Sequence, residues 1–226
     1  MQHRNLTIIG TSHIARQSVK LIKEALQQKY DIVAVELDAA RYQGLMSQEK
    51  QSLNPAIIRQ IGLQGYLFAV IGKFVQKKLG NMTGVQPGSE MLTAVELAKK
   101  HHADVFLIDR PLQITLKRFS QKLSWKEKGK LFADVVSGIF GGKKMRIDLN
   151  KVPEEELIET LLLQLKERYP NMYLVLVEER NHYMASQLAK IMAKFPDKKI
   201  LCVVGAGHGK ELSALVEKKR PKFEAV

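Results

Sequence analysis

The sequence has one cysteine in 226 residues, so no internal disulfide can staple the fold and stability has to come from a packed core. That thiol, Cys202, lies inside the apolar run Ile200-Leu201-Cys202-Val203-Val204 and reads as a buried group suited to a reducing compartment. Long hydrophobic runs are missing too. The longest, around Tyr66 to Gly72, falls well short of the roughly 20 residues a spanning helix needs, so no transmembrane helix is expected. No apolar leader follows Met1-Gln2-His3-Arg4-Asn5, and the expected location is the cytoplasm. Acidic residues are in deficit, with Lys+Arg 36 against Asp+Glu 23 and a formal net charge of +13. Such a surplus attracts anions in general. The lysines are spread out, however, in pairs such as Lys77-Lys78, Lys99-Lys100, Lys143-Lys144 and Lys198-Lys199, with no aromatic-interleaved basic stripe. Specific nucleic-acid binding is therefore not expected. Low-complexity segments are absent, and 45% hydrophobic with 26% charged residues is the balance of a globular protein.

Within those bounds the chain reads as one α/β domain over 1–226. A strand from Leu6 to Ile9, a helix from Ala15 to Lys29 with Val19, Ile22 and Leu26 at helical spacing, and a strand from Asp31 to Leu37 form a βαβ pattern. The strands are continuously apolar, as when helices cover both faces of a parallel sheet. Further strands are expected at Val105–Ile108 and Ile200–Val204, giving a small, mainly parallel sheet of about four strands surrounded by helices. A mostly helical insertion occupies residues 50–90, and its glycine-containing apolar stretch Ile57 to Gly72 is either core or a moving lid. Helices are expected at Glu90–Lys100, across 112–145 with a break near Ser124, from Pro153 onward, after Pro170 through Phe195, where the apolar run Tyr173 to Val177 could open as a strand but the spacing is helical, and at Lys210–Lys219.

Ligands of parallel sheets bind beyond the carboxyl ends of the strands, and there this sequence places reactive side chains. Two strand-to-helix turns carry the same pattern, Gly10-Thr11-Ser12-His13 and Gly205-Ala206-Gly207-His208. The second strand carries Glu36 and the third ends at Asp109-Arg110. Histidine and carboxylate together suit a divalent ion such as zinc, manganese, cobalt or iron. Gly10, Gly205 and Gly207 would permit positive φ and close approach to a ligand. Alternatives stand beside each reading: Glu36 either joins the site or caps the helix beginning near Asp38, and Asp109-Arg110 is either part of the site or a structural ion pair. Arg180 falls on the apolar face of its helix, where a lone guanidinium is costly, so it should reach a carboxylate or an anionic transition state. Its neighbour Glu179 either completes a metal shell or pairs with Arg180, and Glu90 is either a helix-dipole partner or a site carboxylate. His101, His102 and His182 are expected at the surface, and Ser12 with either histidine lacks a third triad member.

Taken in order, Gly10-Thr11-Ser12-His13, Val35-Glu36-Leu37-Asp38 with Arg41-Tyr42, Pro87-Gly88-Ser89-Glu90-Met91, Asp109-Arg110-Pro111, Glu179-Arg180-Asn181 with Met184-Ala185, and Val203-Val204-Gly205-Ala206-Gly207-His208 resemble the TraB/PrgY family. That family is grouped with Tiki proteases, erythromycin esterases and ChaN-like proteins. The resemblance implies an α/β fold and metal-dependent hydrolysis of small peptides, of the kind associated with pheromone shutdown in conjugation. It implies His13, Glu36 and His208 as ligands of a divalent metal. Arg180, Glu179, Glu90 and Glu36 are then the candidate catalytic groups, and Ser12, Asp109, Arg110, Asn181, Gly205 and Gly207 the candidate substrate contacts. Longer members carry a C-terminal membrane region, whereas this sequence ends at Lys222-Phe223-Glu224-Ala225-Val226 without one. The expected partner is a small peptide, with a homo-oligomer left open. The alternative function is sequestration of a hydrophobic peptide without cleavage.

Overall fold

The computed structural model describes residues 2–3, 5–11, 15–47, 59, 88–140 and 154–219. Its sheet is built from β1 (Gln2–His3), β2 (Leu6–Thr11), β3 (Ile32–Val35), β4 (Asp104–Leu107) and β5 (Ile200–Gly205), in the order β1-β2-β5-β3-β4. The four longer strands are the ones expected, and their three pairings are parallel. The two-residue β1 adds an antiparallel edge against β2 that no sequence period could reveal. Strand β5 lies in the middle, with Cys202 opposite Ile8 on one side and Ala34 on the other.

Successive strand residues point to opposite faces, and this divides the core in two. On one face Ile32, Ala34, Ile200, Cys202 and Val204 pack with Met184, Leu188, Leu212 and Val216. Those last four come from α8 (Glu179–Lys194) and α9 (Ala206–Lys219). On the other face Val33, Val35, Leu201 and Val203 meet Ile22 of α1 (Ala15–Ala25) and Met91, Ala94, Val95 and Ala98 of α3 (Ser89–Lys100). The result is a three-layer α/β fold. Cutting a side chain such as Leu188 to alanine in this core is expected to cost about 2–5 kcal/mol.

Local chemistry sets the helix boundaries. Asp38 opens α2 (Ala39–Ser47) by accepting the amides of Ala40 and Arg41 at 2.9 and 3.2 Å. Gly88 takes φ 91° just before α3, a left-handed conformation that glycine adopts without strain. Helices α4 (Leu112–Lys122) and α5 (Trp125–Phe140) part at Ser124, as expected. Ser124 Oγ accepts the Glu127 amide at 3.2 Å while Glu127 Oε2 accepts the Ser124 amide at 2.9 Å, a reciprocal capping box. A further helix, α6, spans Glu154–Arg168.

The stretch from Pro170 to Lys194 is helical, as its apolar spacing predicts, but it is not uniform. After α7 (Pro170–Tyr173) comes a π-helical turn, Leu174–Glu178, in which the Glu179 amide donates five residues back to the Leu174 carbonyl. Such turns widen the helix by one residue and recur at functional sites. Here the carbonyls of Val175 and Leu176 accept from the guanidinium groups of Arg110 and Arg180.

Two expectations need correction. Helix α9 begins at Ala206 rather than Lys210, so His208 sits in its first turn. Gly10, Gly205 and Gly207 do not carry positive φ. Their smallness serves packing instead: a Cβ on Gly10 would stand 3.2 Å from the Ala206 Cα, and one on Gly207 would meet Leu162 at 3.5 Å.

Candidate active site

Glu36 leaves the end of β3 with its amide bound to the Val203 carbonyl at 3.0 Å, which carries its side chain past the carboxyl edge of the sheet. Its Oε2 accepts the Gly205 amide at 2.7 Å, and Oε1 accepts from Arg180 Nη2. Burial favours the neutral acid, but the His208 ring once it is protonated in acid, the Arg180 guanidinium and the Gly205 amide outweigh it and hold the Glu36 carboxyl at about 2. Glu36 therefore stays ionised although only 8% exposed.

Arg180 reaches two carboxylates, as its place on the apolar face demanded. Its Nε donates to Asp109 Oδ1 at 3.0 Å and its Nη2 to Asp109 Oδ2 at 2.8 Å, in addition to Glu36. Its Nη1 donates to the Leu176 carbonyl at 3.2 Å and lies 3.2 Å from His208 Nε2. Burial works against its charge, and Glu36 and Asp109 more than restore it, leaving the guanidinium firmly ionised. Asp109 is shared further, accepting Arg41 Nη1 at 2.9 Å and the Arg110 amide at 2.8 Å.

His208 contributes a neutral base to this cluster. Burial lowers its pKa and outweighs the pull of Glu36, with Arg180 also disfavouring a second positive charge. The first turn of a helix disfavours imidazolium in the same sense. Nδ1 lies 2.7 Å from Asn181 Oδ1, and Nε2 lies 3.4 Å from Glu36 Oε1. Since the facing Arg180 nitrogen can only donate, Nε2 presents its lone pair to the site.

Comparison with known proteins gives the family of the chain. A model of the TraB/PrgY/gumN family matches residues 2–219. An uncharacterized protein of Methanocaldococcus jannaschii is 31% identical over 208 residues, covering 90% of this chain and 51% of its own. The chain belongs to the TraB/PrgY/gumN family. TraB domain-containing proteins of mouse and human are 26% and 25% identical over 199 residues, covering 80% of this chain and 51% of theirs. The chain thus spans about half the length of the curated relatives it matches.

In this TraB-family chain Glu36, Asp109, Arg180, Asn181, Gly205 and His208 come together, while other expected site residues are placed elsewhere or lie outside the described residues. Ser12 and His13 lie outside the described residues, as does the stretch Ile57 to Gly72 apart from Arg59. Glu36 does not cap α2, since Asp38 does. Glu179 turns away from Arg180 and binds Arg110 and Arg118. Asp109 and Arg110 are not a side-chain ion pair: the Arg110 fork goes to Thr115 Oγ1, Glu179 and the Val175 carbonyl. Glu90 accepts the Gly88 amide at 3.1 Å, the helix-terminal role. His101, His102 and His182 are exposed, as expected. Both ends of the Asn181 amide are engaged, by His208 and by Glu211. Sequence reasoning missed Arg41 and Glu211 as members of the cluster. Arg41 stands three residues beyond Asp38 and Glu211 three beyond His208, which is the one-turn spacing that puts side chains on a shared helix face.

Among the described residues no helix is long and apolar enough to cross a membrane.

Proposed function

We propose that this cluster is a hydrolytic centre, metal-dependent and acting on small peptides. The observation that carries the reading is the 3.4 Å approach of the His208 Nε2 lone pair to the ionised Glu36 Oε1, beside a buried guanidinium. Two ligands of a tetrahedral ion bound at about 2.1 Å stand about 3.4 Å apart, so this nitrogen and oxygen match such an ion in type and spacing. Glu36 and His208 would hold the metal, with His13 as the third ligand implied by the family resemblance. When bound, a divalent ion supplies Lewis acidity and a water of lowered pKa. Arg180 provides the positive charge against which a developing oxyanion is stabilised. Asp109 keeps that guanidinium in place by two hydrogen bonds.

Metal content of protein purified without chelator, together with intact-mass analysis of incubated peptides, tests the proposal. Fragments that disappear with chelator and in His208→Gln support it. No bound metal and no fragments in any condition overturn it. One observation favours a second reading, binding of a peptide without cleavage: Arg180 already engages both Glu36 and His208 as resident cation. Stoichiometric peptide capture without turnover would select that reading.

A further inference from the structure

His208 does not stand alone behind its lone pair. Its Nδ1 faces Asn181 Oδ1 at 2.7 Å, Asn181 Nδ2 donates to Glu211 Oε2 at 2.8 Å, and Tyr173 Oη donates to Glu211 Oε1 at 2.8 Å. The chain joins three elements: α9 through His208 and Glu211, α8 through Asn181, and α7 through Tyr173. Asn181 is fully buried, so its amide has no water to fall back on.

We propose that Asn181, Glu211 and Tyr173 are positioning residues that lock His208 in the Nδ1–H tautomer and so keep Nε2 bare toward Glu36 and Arg180. The direction of every bond follows from one end. An ionised carboxylate only accepts, so Glu211 must receive a proton donor from both Asn181 and Tyr173. That turns the Asn181 Nδ2 toward Glu211 and its Oδ1 toward the ring. Oδ1 only accepts, so Nδ1 must carry the hydrogen. Burial and the Glu211 carboxylate raise the Tyr173 pKa and keep its phenol in the donor form. At the opposite end Arg180 Nη1, 3.2 Å from Nε2, favours the same polarity, while Glu36 Oε1 at 3.4 Å is the acceptor an Nε2–H would turn to once Nδ1 loses its partner. Partners behind a ligating histidine fix the ring and its tautomer in the same way at metal sites. The tautomer assignment itself is independent of the metal reading, on which only the affinity arm of the test rests.

The test is nitrogen-15 NMR of histidine-labelled, metal-free protein, with the signal of His208 among the six histidines identified by its loss in His208→Gln. The wild type is expected to show protonated Nδ1 and bare Nε2. Asn181→Leu, close in volume but unable to accept, should convert the ring to Nε2–H, while Asn181→Asp should restore the original tautomer. Glu211→Gln acts from the exposed end of the chain and spares the buried asparagine. Because glutamine can present either oxygen or NH₂, it should give a mixture of tautomers. Zinc(II) or manganese(II) titrated alone should bind roughly 10–100-fold more weakly to Asn181→Leu. Nε2–H in the wild type, or a tautomer unmoved by both Asn181→Leu and Glu211→Gln, overturns the lock. If Asn181→Leu fails to fold, Glu211→Gln alone decides. A wild type that binds no metal yet shows bare Nε2 that the substitutions disturb sinks the metal reading and upholds the lock. A metal-binding wild type whose tautomer ignores both substitutions does the reverse.

Discussion

Glu179 and Arg180 are adjacent in sequence, yet they open into two separate ionic clusters. Glu179 receives Arg110 and Arg118, and the Arg110 fork is completed by Thr115 and the Val175 carbonyl. That cluster ties α4 to the π-helical turn and the start of α8. The Arg180 cluster is also satisfied, with Glu36 and Asp109 facing Arg180 and Arg41. It differs by one member, the neutral imidazole of His208. Buried charge alone therefore does not mark chemistry. What separates the two is a neutral ring nitrogen with an available lone pair, and of these two clusters the Arg180 cluster alone contains one, on His208.

Removing the two arginines in turn should separate the clusters most strongly. Arg180→Met leaves the buried Glu36 carboxylate without its cation and Asp109 with Arg41 alone, and is expected to cost about 3–5 kcal/mol in urea unfolding, with loss of any hydrolytic activity. Acid should separate the clusters next. The Glu36 pKa falls from 4.5 to about 2 on folding, so its stabilisation is complete above pH 4.5 and is lost as pH falls toward 2. At 1.36 kcal/mol per unit this is about 3 kcal/mol, and Glu36→Gln should flatten that part of the stability profile. His208 adds a signature of its own. Burial sets its folded pKa below 6.5, so the unfolded chain takes up the proton first and stability starts to decline as pH drops below 6.5. His208→Gln should remove that early decline, and Glu179→Gln should leave it in place. Arg110→Met should cost about 2 kcal/mol, since Glu179 keeps Arg118, and activity per folded molecule should be unchanged. Arg118, whose side chain is 39% exposed, should matter least. Its replacement by methionine should shift stability by less than about 1 kcal/mol.

How legible each cluster is in the sequence follows the same division. Arg180 announces itself, because a guanidinium between Val177 and Met184 on an apolar face needs a partner. Glu36 and Asp109 do so by closing apolar strands. The partners of Glu179 carry no such mark, lying 69 and 61 residues away, Arg110 just before α4 and Arg118 on it, and the register of α4 against α8 is decided only by packing. The π-helical turn is hidden for another reason. Leu174 to Val177 is continuously apolar, so inserting one residue of register leaves no visible break in the pattern. The start of α9 is obscured because Gly205-Ala206-Gly207 reads as a poor helix opening. The glycine at 207 is explained once Leu162 is seen lying against it.

The position of β5 has a consequence for the order of events during synthesis. Strands β2 and β3 pair with β5 and not with each other, and Leu6 is matched to Ile200 across almost the whole chain. A nascent chain that has released both early strands from the ribosome still has a vacancy one strand wide between them. Glu36 then waits without the Gly205 amide, and His208 has yet to be translated. The charged centre is thus assembled by β5, the last of the described strands in chain order, and until β5 inserts, the apolar edges of β2 and β3 are exposed to whatever other chains are nearby.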